Sequence, residues 1–209
     1  MKVDAIEVCN LIGSIVASGF PMLSKYSLEE YEESCKELSS YNYEDEAFLE
    51  NPHVQRAFRL SQKSNPGSGH DNFLSGIHVF CNITGTVKWW AQFDRYHFKQ
   101  IISSQSTMHR LKNMIVDEEA FRHFNECVSE DILDYYLMYA KEHLEDTEWL
   151  AYNCPMGIEL CARVDLNYLQ LKTIWNQRCA HKHKLSEWAV FGEFIQGLPF
   201  SNELIINQK

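Results

Sequence analysis

No run of about eighteen uninterrupted apolar residues occurs in this chain, so the sequence offers no membrane-spanning helix. No secretory leader pattern precedes its first elements, and we expect a cytoplasmic protein with no membrane partner. Its seven cysteines are irregularly spaced and odd in number, which excludes a disulfide framework. Neither a Gly-x-Ser-x-Gly elbow nor a C-x-x-C pair is present, so hydrolytic nucleophiles and the commonest zinc sites lack support. Basic residues are scarce: 19 Lys and Arg stand against 29 Asp and Glu, a net charge of −10. Such a balance argues against a surface that coats a nucleic-acid polymer, though a small phosphate ligand needs only a local basic pocket. The sequon Asn82-Ile-Thr84 has no meaning in the cytoplasm. No repeat and no linker divides the chain, so residues 1–209 are read as one domain.

What is present is a folded globule, 45% apolar and 13% aromatic in composition. Lys2 to Leu11 reads as a strand, and Ser14 to Gly19 as a short helical turn. Ser27-Leu-Glu-Glu30 is a capping box, continued by Leu28, Tyr31, Cys35 and Leu38 at helical spacing. The acidic run through Glu50 is a solvated face, with a docking patch as the lesser alternative. Pro52 to Lys63 predicts a helix with proline in its first turn. Asn65-Pro-Gly-Ser-Gly69 breaks the chain; it lacks Gly-Lys-Ser/Thr and is not a P-loop. Phe73 to Ile83 predicts a strand with Ile77, Val79, Cys81 and Ile83 on one face. Val87 to Phe98 reads as an aromatic helix, with Trp89, Trp90 and Phe93 in the core or a subunit interface. Gln100 to Ser104 is expected to be extended. From Asp117 to Glu145 the pattern is helical, broken near Val128-Ser129. A turn at Asn153 to Gly157 leads to the strand Ile158 to Val164, and Asp165 caps a helix from Asn167 to Arg178. Ser186 starts a last helix that Gly197 and Pro199 end. The order is α+β.

The chemistry gathers in Gly69 to Arg110. Gln92-Phe-Asp-Arg95-Tyr96-His97 is followed by Ser103-Ser104-Gln105-Ser106-Thr107, then His109 and Arg110. A planar cation, an imidazole, an amide and several hydroxyls suit a polyanionic, heteroaromatic ligand better than a hydrolytic triad. The competing reading is a Trp-rich buried helix whose polar end merely caps and turns. Cys179-Ala-His181-Lys-His183 invites a zinc reading. A His pair at i, i+2 does not share a helix face, no second pair accompanies it, and late-helix His and Lys complement the macrodipole. No metal is expected. Asn167 and Arg178 are eleven residues apart. On a straight α-helix they return to within about 20° of one face, roughly 16 Å apart along the axis.

Those residues resemble the flavin-dependent thymidylate synthase family, which carries Gly-His-x-Ser/Thr, a strand, then Q-x-x-R-H-R-x-x-S-x-N-E-x-S-x-R-Y. Gly69-His70-Asp71-Asn72 matches the first part and Gln92 to Arg95 the second. The Ser103 to Ser106 run follows with a one-residue insertion. The family's N-x-R-S-L, with an Arg eleven residues after the Asn, is matched by Asn167 to Leu171 and Arg178. The resemblance covers most of the chain from His70 onward. It implies a central, mostly antiparallel sheet with flanking helices, and a homotetramer whose active sites are shared between subunits. It implies FAD as cofactor, with NADPH and methylenetetrahydrofolate as co-substrates and dUMP or a related pyrimidine nucleotide as substrate. By position, Arg178 is the catalytic residue that contacts and activates the uracil ring. Asn72, Arg95, Tyr96, His97, Ser104 and Asn167 fall at flavin contacts. Gln92, Arg95, Ser104, Gln105, Ser106, Thr107 and Arg178 fall at nucleotide contacts. The chain departs from the family where Tyr96 and His97 replace His and Arg and Leu169 replaces an Arg. It also lacks the Arg before Leu-Pro near Tyr152 to Pro155. Lys99, His109 or Arg110 are the cations available to compensate. The alternatives are a modifier of a different pyrimidine nucleotide and a non-catalytic nucleotide-binding protein on the same fold.

Overall fold

The computed structural model describes residues 1–63, 69–181 and 183–206. In chain order they form β1 (Lys2–Cys9), α1 (Leu11–Ala17), α2 (Leu28–Ser39), α3 (Glu46–Leu49) and α4 (Pro52–Lys63). Then follow β2 (His78–Thr86), α5 (Val87–Phe93), β3 (Gln100–Ser104), α6 (Thr107–Ile115), α7 (Glu130–Glu142) and α8 (Thr147–Asn153). The chain closes with β4 (Glu159–Asn167), α9 (Tyr168–Ile174) and α10 (Glu187–Gln196). The strands make one antiparallel sheet in the order β1-β2-β4-β3, flanked by helices, as the α+β reading expects. No helix among the described residues is long and apolar enough to cross a membrane.

Contacts gather the chain into two compact units, Met1–Ala5 with Cys81–Val164 and Ile6–Phe80 with Asp165–Lys209. The division falls inside β1, β2 and β4. In the first unit Leu111, Met114, Leu133, Tyr136 and Leu150 on α6, α7 and α8 form a buried cluster with Ile158, the residue before β4. In the second, Phe48, Leu74, Tyr168, Leu171, Trp188 and Phe191 are each 0% exposed.

Several boundaries depart from the sequence reading, each for a local reason. β1 ends at Cys9 because Asn10 takes a left-handed conformation (φ 58°). Its amide donates to Ser14 Oγ at 3.2 Å and to the Gly76 carbonyl at 3.0 Å, so α1 starts at Leu11 rather than Ser14. Phe73 is not in a strand: Asn72–Gly76 is a 3-10 turn, and β2 begins at His78. The expected buried face of Ile77, Val79, Cys81 and Ile83 is fully buried. α5 ends at Phe93, not Phe98, because the Lys99 ammonium bonds the carbonyls of Asp94 and Tyr96 and folds the chain back. The span from Asp117 is not continuous helix: Ala120–His123 is a 3-10 turn, and Asn125 N–H donates to the Gly157 carbonyl at 2.8 Å. α6 and α8 had no counterpart in the sequence reading. The break expected over residues 65–68 lies outside the described residues.

Candidate functional site

In the first unit, α5 brings Gln92 and Arg95 into one turn, where Arg95 N–H donates to the Gln92 carbonyl at 3.3 Å. Thr86 Oγ1 accepts Trp89 N–H at 3.1 Å and fixes the helix start. Trp89 and Phe93 stack with centroids 4.7 Å apart and anchor the turn from below. Arg95 and His97 are exposed and Gln92 is half-buried. Tyr96 is only 8% exposed, with its ring 6.4 Å from that of Phe93. The lysine proposed as a compensating cation is engaged locally: Lys99 pairs with Asp94 at 3.3 Å and sits over the Phe93 ring.

β3 follows at the sheet edge, every residue of it exposed. Gln105 continues its pairing. Its N–H donates to the Cys161 carbonyl at 2.9 Å, while its side-chain oxygen accepts Cys161 N–H at 3.0 Å and Arg110 Nη1 at 2.6 Å. That oxygen is spent holding the chain. Arg110 also donates to the Glu159 carbonyl and faces His123, whose other ring nitrogen meets Asp117. Arg110 therefore braces this corner instead of offering an open fork. Ser106 is the N-cap of α6 but makes no side-chain capping bond. The hydroxyls of Ser104, Ser106 and Thr107 have no partner among the described residues. The first N–H groups of a nine-residue helix thus emerge among three uncommitted hydroxyls.

In the second unit, Gly69 has φ +74°, a conformation that favours glycine, and delivers the exposed His70 and the 3-10 turn carrying Asn72. This turn is pinned to α9 twice. Tyr168 N–H donates to the Ile77 carbonyl at 3.1 Å, and the Lys172 ammonium reaches Asp71 at 2.9 Å. The sequence signal of Lys172 is a cation beside Leu171 on the apolar stripe of a helix.

Asn167, not Asp165, is the N-cap of α9: its side-chain oxygen accepts Gln170 N–H at 2.9 Å. Asp165 instead bonds His78 at 2.8 Å. The expected straight helix to Arg178 also fails. Beyond Ile174 the chain widens into a π turn, Trp175–Cys179, closed by Ala180 N–H on the Trp175 carbonyl at 2.8 Å. Residues of such a turn rotate less than 100° each, so Arg178 lags the face computed for an α-helix.

Arg178 is half-buried, 5.5 Å from the Trp188 ring centroid, and Nη1 lies 2.8 Å from His183 Nε2. Leu185 N–H points at the other ring nitrogen of His183 at 3.2 Å. Both imidazole nitrogens face donors, yet a neutral imidazole accepts only one hydrogen bond, so Arg178 and Leu185 compete for it. Burial, helped by Arg178 and Lys184, holds the His183 pKa below 6.5. Arg178, Cys179, His181, His183, Lys184 and Ser186 line a cavity of about 410 Å³. Two of the lining side chains, Arg178 and Lys184, carry a fixed positive charge, and Ala180, Leu185 and Ala189 complete the wall. Among the described residues, no group of three or more His, Cys, Asp or Glu is arranged to hold a metal ion. Burial pushes the thiols of Cys81 and Cys179 up to about 12 and that of Cys154 to about 11, so none is an activated thiolate.

No family model and no curated protein matches the sequence. Solved structures do match the fold. The flavin-dependent thymidylate synthase ThyX from Helicobacter pylori, complexed with FAD and dUMP, is similar over 99% of this chain and 98% of that one. Its identity is 13% and the TM-score 0.68. A second structure of that enzyme with FAD and dUMP gives 13% identity and a TM-score of 0.64 over 99% and 97% of the two chains. The UMP/dUMP methylase PolB from Streptomyces cacaoi, bound with 5-Br dUMP, gives 10% and 0.56 over 99% and 93%. The chain has the fold of the flavin-dependent thymidylate synthases.

Proposed function

We propose that this protein binds FAD and a dUMP-like pyrimidine nucleotide and methylates the pyrimidine reductively. A shared fold does not by itself carry an activity, so the reading must rest on the site. The observation that carries it is Arg178, eleven residues beyond Asn167 and half-buried beside Lys184 on the wall of a cavity of about 410 Å³. A guanidinium there stabilises negative charge developing on a pyrimidine ring, and its planar fork matches the ring's edge. Lys184 adds a second fixed positive charge to the same wall, and His181 and His183 add ring nitrogens that can hydrogen-bond a substituent.

A separate set of residues, for phosphate, lies wholly within the first unit. Ser104, Ser106 and Thr107 stand at the N-terminus of α6, where backbone N–H groups and the helix dipole favour an anion. Gln92 and Arg95 add an amide and a second planar cation. Gln105 contributes through its remaining amide nitrogen.

Toward FAD the residues fit as follows. Asn72, Arg95, His97 and Ser104 are exposed polar groups, suited to a ring edge and a diphosphate. Asn167 keeps its amide nitrogen available, while buried Tyr96 contributes by holding the turn. Bound reduced flavin would supply hydride to the pyrimidine. This chain's residues orient the ring, hold its charge and exclude water. NADPH as reductant, methylenetetrahydrofolate as carbon donor, a homotetramer with shared active sites, and a cytoplasmic location complete the proposal.

Two observations favour narrower variants. Leu169 stands where the family has an Arg, which suits a protein that binds nucleotide without turnover. The similarity to a UMP/dUMP methylase makes a ribonucleotide an alternative substrate. A thermal-shift series with dUMP, UMP, dCMP and dTMP ranks the nucleotides, and product formation from the one bound tightest tests turnover. We expect dUMP or UMP to raise the melting temperature of the wild type but not of Arg178→Ala. Equal shifts in both proteins would move base recognition away from Arg178.

A further inference from the structure

A second cavity, of about 340 Å³, opens between α7 and α8, and nothing in the proposed reaction uses it. Its walls include Ile132 beside Tyr135, Tyr136, Tyr139, Trp149 and Pro155, a volume and lining that suit a small ligand. Tyr136 belongs to the buried cluster of this unit and Trp149 packs against it, whereas the rings of Tyr135 and Tyr139 are not part of it. Tyr135 is 63% exposed, and its ring lies 4.6 Å from that of Tyr139 at an inclination of 51°. Tyr136 is fixed by its hydroxyl, which donates to the Leu150 carbonyl at 3.2 Å. Trp149 is braced by the His143 ring, stacked on it at 4.2 Å.

The surrounding charge is one-sided. Between Glu130 and Glu148 there are seven carboxylates and a single lysine, Lys141. Asp131, Tyr135, Tyr139 and Glu142 recur at i, i+4, i+8 and i+11 along α7, which puts two acids and two rings on one helix face. The Tyr139 hydroxyl is held up in pKa first by its hydrogen bond to Tyr135, with the Glu142 carboxylate adding in the same direction. Neither Asp131 nor Glu142 pairs with a cation among the described residues; the neighbouring Lys112 is taken by Glu145. An anionic ligand would be repelled here, and a neutral hydrocarbon would gain nothing from the acids. A metal ion or primary ammonium would keep its water. A methylated ammonium is weakly hydrated, fills space, and is attracted both by the negative faces of aromatic rings and by the carboxylates.

We propose that this cavity binds a small organic cation of the quaternary or methylated ammonium type, its onium head against Tyr135, Tyr139 and Trp149 and its charge facing Asp131 and Glu142. The proposal stands independently of flavin and nucleotide binding. The test is calorimetric titration of the full chain with choline and with its neutral isostere 3,3-dimethylbutan-1-ol. Choline should bind saturably, with a Kd on the order of 1 mM. The isostere should bind at least about fivefold more weakly, because it fills the same space without the cation–π attraction. Tyr139→Leu should weaken choline by a similar factor. Tyr135→Leu, at an exposed position, provides the same test if the first variant folds poorly. Asp131→Asn combined with Glu142→Gln should also lower affinity. No saturable choline binding, equal affinity for choline and isostere, or wild-type affinity in the folded ring variants would overturn the proposal.

Discussion

The Lys172 ammonium donates to Asp71 Oδ2 at 2.9 Å and to the Ser61 carbonyl at 2.7 Å, from a side chain only 10% exposed. One buried cation thus ties α9 to the end of α4 and to the turn that presents His70 and Asn72. A methionine at 172 would remove the ammonium from Asp71 and the Ser61 carbonyl. Removing one partner of a buried pair is costly, so Lys172→Met should lower unfolding free energy by about 3 kcal/mol. Urea denaturation measures it directly. A loss under about 0.5 kcal/mol would show that the pair behaves as a surface ion pair.

Asn167 holds the start of α9 through its bond to Gln170 N–H. Asn167→Ala should cost about 1 kcal/mol, while Asn167→Asp should preserve the cap. The two variants also separate structure from binding. If the amide nitrogen meets flavin, Asn167→Asp melts like the wild type yet binds FAD more weakly. Unchanged FAD affinity in a stable Asp variant would confine Asn167 to capping.

Acid should destabilise the protein in a defined window. Burial, helped by Arg56, lowers the His53 pKa below 6.5, and His183 shifts the same way. The unfolded chain therefore takes up protons at pH 6.5 while the folded chain resists. This contribution is fully present above pH 6.5 and is lost as pH falls through the lowered values. The carboxylates whose pKa values are lowered, Asp4 and Asp117, titrate below the ordinary Asp value of 3.8, outside this window. His53→Gln should flatten part of the decline in urea midpoint between about pH 7 and pH 5.5. A variant with the wild-type slope would remove His53 from the account.

The hydroxyls at the start of α6 should matter for phosphate and not for folding. Ser104→Ala and Thr107→Val should each weaken dUMP-like binding by about two- to tenfold, the worth of one neutral hydrogen bond. Melting without ligand should hardly move. Titration calorimetry with dUMP and with deoxyuridine checks this, because the nucleoside should be insensitive to both substitutions.

The sequence was legible where local pattern and tertiary packing agree. Pro52 to Lys63 forms the expected helix, Ser27 caps α2 by accepting Glu30 N–H, and the alternation of β2 gives its buried face. It was illegible where distant backbone wins. Asn125 pairs with Gly157 and Phe124 bridges Ile158, which breaks the helical pattern after Asp117. No Pro or Gly marks the π turn that carries Arg178, so counting at 100° per residue overstates how far that side chain has rotated from Asn167. The identities of the polar residues in Gln92 to Thr107 were plain, but their commitments were not. Only the fold reveals that Gln105 and Arg110 brace β4 while Ser104, Ser106 and Thr107 have no partner among the described residues.

Flavin binding tests the central claim most directly. FAD titrated into the purified wild-type chain, followed by quenching of flavin fluorescence, should saturate at one flavin per chain. Arg95→Ala should weaken that binding by about tenfold, the worth of a charge-assisted contact. A wild-type protein that melts cooperatively but shows no saturable quenching at any practical FAD concentration would contradict the account. This chain would then keep the thymidylate synthase fold without its redox chemistry.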